Sequence, residues 1–216
     1  MFLILSGVLS ADDLAQLSGE TAQLAFTDGR ATAGAAARSV KQNEQAAGPD
    51  AARVAAFVRD ALARHPVFQA AAQVGAFGGL LLSRYRAGMT YGWHVDNAVI
   101  QGVRSDLAFT VLLAGTGGQG GVLELELPGG IQAVDLRPGD AVLYPATTIH
   151  RVTEVTAGER VAVVGWVQSR VRLAEQREVL FDLANVRASL ARTGADTDLQ
   201  LRLQKIEANL IRLWAD

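Results

Sequence analysis

From residue 76 onward the chain is a succession of short apolar runs cut by glycine turns, and few folds accept that pattern. The runs at 80–85, 107–113, 122–127, 131–136, 141–145 and 160–168 are rich in Val, Leu and Tyr. Gly117-Gly118, Gly120-Gly121, Gly129-Gly130 and Pro138-Gly139 fall between them. Short runs bounded by turn chemistry read as strands. Many such strands in series predict a sandwich or barrel rather than a parallel α/β sheet.

The flanks are helical. Residues 1–6 are apolar but lack the basic start and small-residue cleavage site of a signal peptide, so they read as a first strand. Ser10-Ala-Asp-Asp13 is a capping-box pattern opening a helix over 11–24, with Leu14, Leu17 and Leu24 at helical spacing. Asp28-Gly29-Arg30 marks a turn, and 31–48 read as loop with short helix. Pro49-Asp50 starts a second helix carrying Val54, Phe57, Val58 and Leu62 on one face. His65-Pro66 ends it, because the residue before proline is pushed out of the helical region. His65 is therefore structural. Beyond 172 the period is helical again, and Leu203, Ile206, Leu210 and Leu213 form one stripe. Packing within the chain is the default for that stripe; closure over the barrel or a seam between two copies are the other uses. The expected organisation is a helical region over 1–75, a β domain over 76–172 and a helical extension over 173–216. With 216 residues, half of them hydrophobic and 19% charged, there is enough apolar surface for one sizeable core.

Composition removes several functions. A net charge of −2 argues against nucleic acid or an anionic membrane as partner, since both need a basic excess. No segment reaches the roughly 20 apolar residues of a membrane-spanning helix, and the chain reads as cytoplasmic. It contains no cysteine, which excludes disulfides, iron–sulfur clusters, thiol catalysis and cysteine-ligated zinc. Three histidines remain, at 65, 94 and 150, so a histidine-based metal site has few ways to be built.

The informative stretch is Tyr91-Gly-Trp-His94-Val-Asp96-Asn97. In a strand, residues two apart share a face, so His94 and Asp96 can aim an imidazole and a carboxylate at one point. His150 opens another strand-like run. Two imidazoles and one carboxylate with open positions are the ligand set of non-haem Fe(II) oxygenases. Arg160 follows after a turn. If a co-substrate is a 2-oxo dicarboxylate, its far carboxylate needs a fixed cation, and the planar fork of arginine suits it best.

Tyr85-Arg-Ala-Gly-Met-Thr-Tyr91-Gly-Trp-His94-Val-Asp96-Asn97, Arg104-Ser-Asp-Leu107, Pro138-Gly-Asp-Ala-Val-Leu-Tyr-Pro145, His150-Arg-Val-Thr-Glu-Val-Thr-Ala-Gly-Glu-Arg160 and Trp166-Val-Gln-Ser169 resemble the iron- and 2-oxoglutarate-dependent dioxygenases. Within them the chain is most similar to the PKHD-type, prolyl-4-hydroxylase-like group. Asp28-Gly-Arg30, Val40-Lys-Gln-Asn43-Glu-Gln45 and Asn209-Leu-Ile-Arg-Leu-Trp214 extend the likeness over nearly the whole length.

The resemblance implies a mainly β fold, a double-stranded β-helix or jelly roll with flanking helices. It implies Fe(II) on His94, Asp96 and His150, 2-oxoglutarate on Arg160, with Tyr85 reaching the co-substrate, and ascorbate keeping the iron ferrous. Tyr91 and Trp166 are candidates for lining the pocket, with packing the safer reading for both. Asn97 and Arg104 are candidates for meeting substrate, a turn asparagine and a solvated arginine explaining them nearly as well. The implied reaction is hydroxylation of a small molecule or peptide by dioxygen with release of succinate and CO2, in a group linked to iron and siderophore uptake. The rivals are a cupin-like metalloenzyme without 2-oxoglutarate and a non-catalytic module that senses iron or binds a ligand.

Overall fold

A computed structural model describes residues 1–194 and 196–216, the side chains of Ala35 and Ala36 excepted. In chain order the first part comprises β1 (Leu3–Leu5), α1 (Ala11–Ala22), β2 (Phe26–Asp28), a 3-10 turn (Gly29–Thr32), α2 (Ala35–Arg38), β3 (Lys41–Gln42), β4 (Glu44–Ala46), α3 (Pro49–Arg64) and α4 (Pro66–Ala72). The β-rich part follows with β5 (Val74–Arg86), β6 (Thr90–His94), β7 (Val99–Ile100), β8 (Val103–Arg104), β9 (Leu107–Ala114), β10 (Leu123–Leu127), β11 (Gly130–Val134), β12 (Ala141–Pro145), β13 (His150–Val152) and β14 (Glu159–Ser169). Helices α5 (Ala174–Arg192) and α6 (Thr197–Trp214) close the chain.

The strands form two antiparallel sheets. One runs β1-β12-β9-β14-β5-β4-β2, the other β11-β10-β13-β6-β3, and β7 and β8 make a separate hairpin. Strands β5 and β14 are the longest and pair along most of their length, forming the spine of the larger sheet. In β9, Leu107 to Leu112 are all buried. A strand loses its polar–apolar alternation when both faces are covered, and here two separate cores do the covering. One is formed by α1, α3 and α4 against the outer face, where Leu17, Val54, Val58, Leu62 and Phe68 meet Phe109, Val111 and Val163. The other lies between the sheets, where Tyr85, Ala108, Val142 and Tyr144 meet Leu123, Leu125 and Val152. The central strand of the first core admits no side chain at Gly165: a Cβ there would lie 2.5 Å from Phe109 Cζ and 2.6 Å from Leu80 Cδ2.

The expected jelly-roll core with helices outside it is present. Ser10 caps α1 as its sequence predicts: its Oγ accepts from the Asp13 amide, and its own amide donates to Asp13 Oδ2 at 2.8 Å. His65 ends α3 and caps α4, its Nδ1 accepting from the Phe68 amide. Residues 31–48 differ from the loop-and-helix expectation. Besides α2 they supply β3, paired with β6, and β4, paired with β5. Residues 1–75 thus lend both sheets edge strands as well as packing helices against one of them. The C-terminal stripe divides: Leu203 and Leu210 are half-buried, whereas Ile206 and Leu213 face solvent, Leu213 at 76% exposure. An ion pair between Arg187 and Glu207 ties α5 to α6.

Candidate metal centre and its pocket

The two sheets diverge around a cavity of about 410 Å³ whose wall includes His94, Asp96, His150, Tyr85 and Arg160. β6 and β13 place His94 directly opposite His150 in their ladder. Cross-strand neighbours point the same way, and the two imidazole centres are 4.2 Å apart. The register slips by a bulge just after His150. Asp96 was expected to share a strand with His94. Instead β6 stops at His94, and Asp96 reaches the same point from the loop beyond it, with Oδ1 3.9 Å from His150 Nε2. The three side chains each offer a donor atom, and these atoms lie within 4.8 Å of one another.

The neighbours choose which atoms are offered. His94 Nδ1 donates to the Gly92 carbonyl at 2.8 Å, and His150 Nδ1 donates to the Thr148 carbonyl at 2.9 Å. A carbonyl only accepts, so both rings carry their proton on Nδ1 and turn an unprotonated Nε2 inward, the tautomer a metal requires. Trp166 Nε1 donates to Asp96 Oδ2 at 2.8 Å, leaving Oδ1 free. The Tyr91 ring stacks on His94 at 3.6 Å. Tyr91 and Trp166 both lie in the cavity wall, the less safe of their two sequence readings, and act as positioning residues for two of the candidate ligands. Burial, reinforced by His150, draws the His94 pKa down to about 3, which keeps that ring neutral at ordinary pH. Burial pushes the Asp96 carboxyl up, against the opposing pull of His150, the Trp166 hydrogen bond and Lys41. Two nitrogens and one oxygen, preset as acceptors on the buried His150 and the half-buried His94 and Asp96, suit a divalent transition metal and leave coordination positions open. The residues present fit ferrous iron.

Arg160 on β14 sits opposite Tyr85 on β5, is only 4% exposed, and lies with its guanidinium 5.5 Å from the centre of the Tyr85 ring. Among the described residues no carboxylate pairs with it. Burial lowers its pKa while Tyr85 and Tyr144 oppose that shift. Burying an unpaired cation is costly, and a dicarboxylate would supply the missing partner. Burial likewise raises the Tyr85 phenol, with Arg160 and the Asn43 side chain acting the other way. Asn97 lines the cavity next to Gly34. Arg104 does not. Its guanidinium pairs with Asp106 at 2.8 Å and donates to the Ser169 carbonyl at 3.1 Å, fastening β8 to the end of β14. Sequence reasoning missed Lys41, Asn43, Gln45 and Tyr144 in the wall, although the stretch 40–45 carries part of the family likeness.

Because Trp166 fixes Asp96 through one hydrogen bond, Trp166→Phe should lower metal affinity by about 10- to 100-fold, as loss of such supporting partners does. The fold should survive, since phenylalanine keeps an aromatic ring at this half-buried position. Isothermal titration with Mn(II) measures it, and an unchanged affinity would show that the bond does not orient the carboxylate.

A jelly roll with these donors at the mouth of its β sandwich is the architecture of the non-haem iron oxygenases. Residues 80–168 match the 2OG-Fe(II) oxygenase superfamily. Across its full length the chain is 46% identical to PKHD-type hydroxylase AM1_3707 of Acaryochloris marina and 45% identical to PKHD-type hydroxylase Mmar10_1675 of Maricaulis maris, with each pair of chains covered completely. The chain belongs to the PKHD-type hydroxylases of that superfamily, enzymes of Fe(II)- and 2-oxoglutarate-dependent oxygenation. The fold is shared with a prolyl hydroxylase of Trichoplax adhaerens solved with a peptide fragment of the hypoxia inducible factor oxygen degradation domain. That likeness has a TM-score of 0.57 at 15% identity, over 83% of this chain and 86% of the other. Among the described residues no helix is long and apolar enough to cross a membrane.

Proposed function

We propose that the protein hydroxylates a carbon of a small molecule or of a peptide side chain, with Fe(II) on His94, Asp96 and His150 and the distal carboxylate of 2-oxoglutarate on Arg160. The observation that carries this reading is the meeting, in one cavity, of three preset donors and a buried arginine with no acidic partner. When bound, iron and 2-oxoglutarate supply the oxidising power, the co-substrate leaving as succinate and CO2 while dioxygen provides the hydroxyl. The chain's own part is positional. The Gly92 and Thr148 carbonyls hold two Nδ1 protons, so neither imidazole turns away. Trp166 holds Oδ2 of Asp96. Arg160 and the Tyr85 hydroxyl fix the far end of the co-substrate, and Val95, Val99 and Ile100 give the cavity an apolar stretch of wall. Correct placement of reacting groups is a large share of any such rate enhancement.

The β core of 76–172 is the catalytic unit in this reading, with 1–75 and 173–216 as extensions. Ascorbate enters as the reductant that keeps the iron ferrous, in a cytoplasmic enzyme. A siderophore-like molecule and a prolyl side chain are the two substrate types the resemblance admits. Exposed Ile206 and Leu213 on α6 are the residues through which copies would associate, and sedimentation velocity over a range of concentrations tests that.

Anaerobic addition of Fe(II) and then 2-oxoglutarate tests the whole reading. A weak visible charge-transfer band should arise only with both present and should be absent in His94→Ala. Iron binding without a response to 2-oxoglutarate would favour a metalloenzyme that uses another co-substrate, and no iron binding would favour a non-catalytic module.

A further inference from the structure

One cation in the cavity has no task in that chemistry. Lys41 is 4% exposed and lines the wall. The β3–β6 pairing sets it opposite Tyr91, and its Nζ lies 5.2 Å from the centre of the ring that stacks on His94. An ammonium has three protons to donate. Thr32 Oγ1, at 3.0 Å, takes one and passes its own to Gln45 Oε1 at 2.7 Å. Among the described residues no carboxylate is within ion-pairing distance of Nζ. Buried lysines are rare without a partner; beyond the Thr32 bond Lys41 faces the Tyr91 ring and feels the Asp96 charge at longer range, which leaves donors open to a bound partner.

Formal charge points to the sign of that partner. Ferrous iron, the Asp96 carboxylate, the 2-oxoglutarate dianion and the Arg160 guanidinium cancel. Asp96 is the one acid among the described lining residues. Lys41 is then an uncompensated positive charge in a low-dielectric cavity, where one more anion is strongly favoured. Beyond it the wall turns apolar at Ala33, Ala37, Val95 and Val99, with Val95 and Val99 exposed at the opening.

We propose that Lys41, flanked by Thr32, binds a carboxylate of the primary substrate, which is therefore a small organic anion whose apolar body lies along Val95 and Val99. This assignment rests on the iron and 2-oxoglutarate reading above, because the charge count includes both.

The test uses the full chain loaded with Mn(II) and saturating 2-oxoglutarate, so that Arg160 is occupied, and compares hexanoate with hexanamide. The paramagnetic broadening of each probe's proton signals by Mn(II) gives both affinity and closeness to the metal. The wild type should prefer hexanoate by at least about tenfold, Lys41→Gln should abolish that preference, and Lys41→Arg should retain it. Affinities for Mn(II) and 2-oxoglutarate should stay within about twofold throughout. Should glutamine unfold the protein, Lys41→Met tests the same point with a similar stem. An unchanged preference in Lys41→Gln overturns the proposal. So does a parallel loss of 2-oxoglutarate affinity, which would put Lys41 in the co-substrate site. Binding of an end-capped Gly-Pro-Gly tripeptide that ignores position 41, with no binding of hexanoate, would also overturn it in favour of a peptide. If the wild type binds neither Mn(II) nor 2-oxoglutarate, the iron reading fails by itself. The hexanoate preference, followed on the unloaded protein by saturation transfer, then decides the role of Lys41 separately.

Discussion

Arg160→Ala should raise the Kd for 2-oxoglutarate by roughly 150-fold while leaving the affinity for Mn(II) within about threefold. The first figure follows from the environment: truncating one partner of a buried, hydrogen-bonded charge pair costs about 3 kcal/mol, much of it the penalty of stranding the other charge. Arg160 is buried in the wall it shares with Tyr85 and Tyr144. The second figure follows from its position on β14, outside the three converging donors. Arg160→Lys should recover only part of the loss, because an ammonium offers a point charge in place of a two-pronged fork. Titration calorimetry with each ligand separates the two effects. If metal and 2-oxoglutarate affinities fall together, Arg160 holds up the sheet and does not grip the co-substrate.

Asp96→Asn should have two effects of opposite sign. Metal affinity should fall by more than about 100-fold, beyond what loss of a supporting partner produces, since the only anionic donor is gone. The metal-free protein should at the same time become more stable. Burial raises the Asp96 pKa in the fold. A carboxyl raised in this way binds its proton more readily folded than unfolded, so its ionisation removes stability as pH climbs through the folded value. At neutral pH the wild type bears that cost and the asparagine variant does not, while the amide oxygen can still accept from Trp166. The melting point without metal should rise at pH 7 and converge with that of the wild type in acid, each 1 kcal/mol amounting to about 2–4 °C in a chain of this size. A lower melting point at pH 7 would mean that the charge of Asp96 holds the loop after β6 in place even without metal.

The parts of the site legible in the sequence were those with local spacing. His94 and Asp96 stand two apart, and His150 and Arg160 open strands that follow recognisable turns. The assumption that Asp96 lay on the strand was wrong in detail, because β6 ends one residue after Trp93, yet the carboxylate still converges. Lys41 and Gln45 were not legible. They lie on strands of two and three residues, too short to show any alternation, and their partners β6 and β5 come much later in the chain. The role of Trp166 was hidden for a similar reason: a half-buried indole reads most safely as packing until the acceptor of its N–H is known, and Asp96 is 70 residues away. Arg104 had two readings, and the nearby Asp106 settles it as a clamp. Continuous burial in β9 reads in sequence as an apolar run, and only the two-sided packing explains it.

The pairing of His94 with His150 across the β6–β13 ladder makes the geometry of the candidate metal centre depend on the register of the smaller sheet. The two imidazoles come from strands far apart in the sequence, so the candidate donors converge only where β13 is paired with β6. If these residues hold the metal, its uptake during refolding reports on formation of that strand pair.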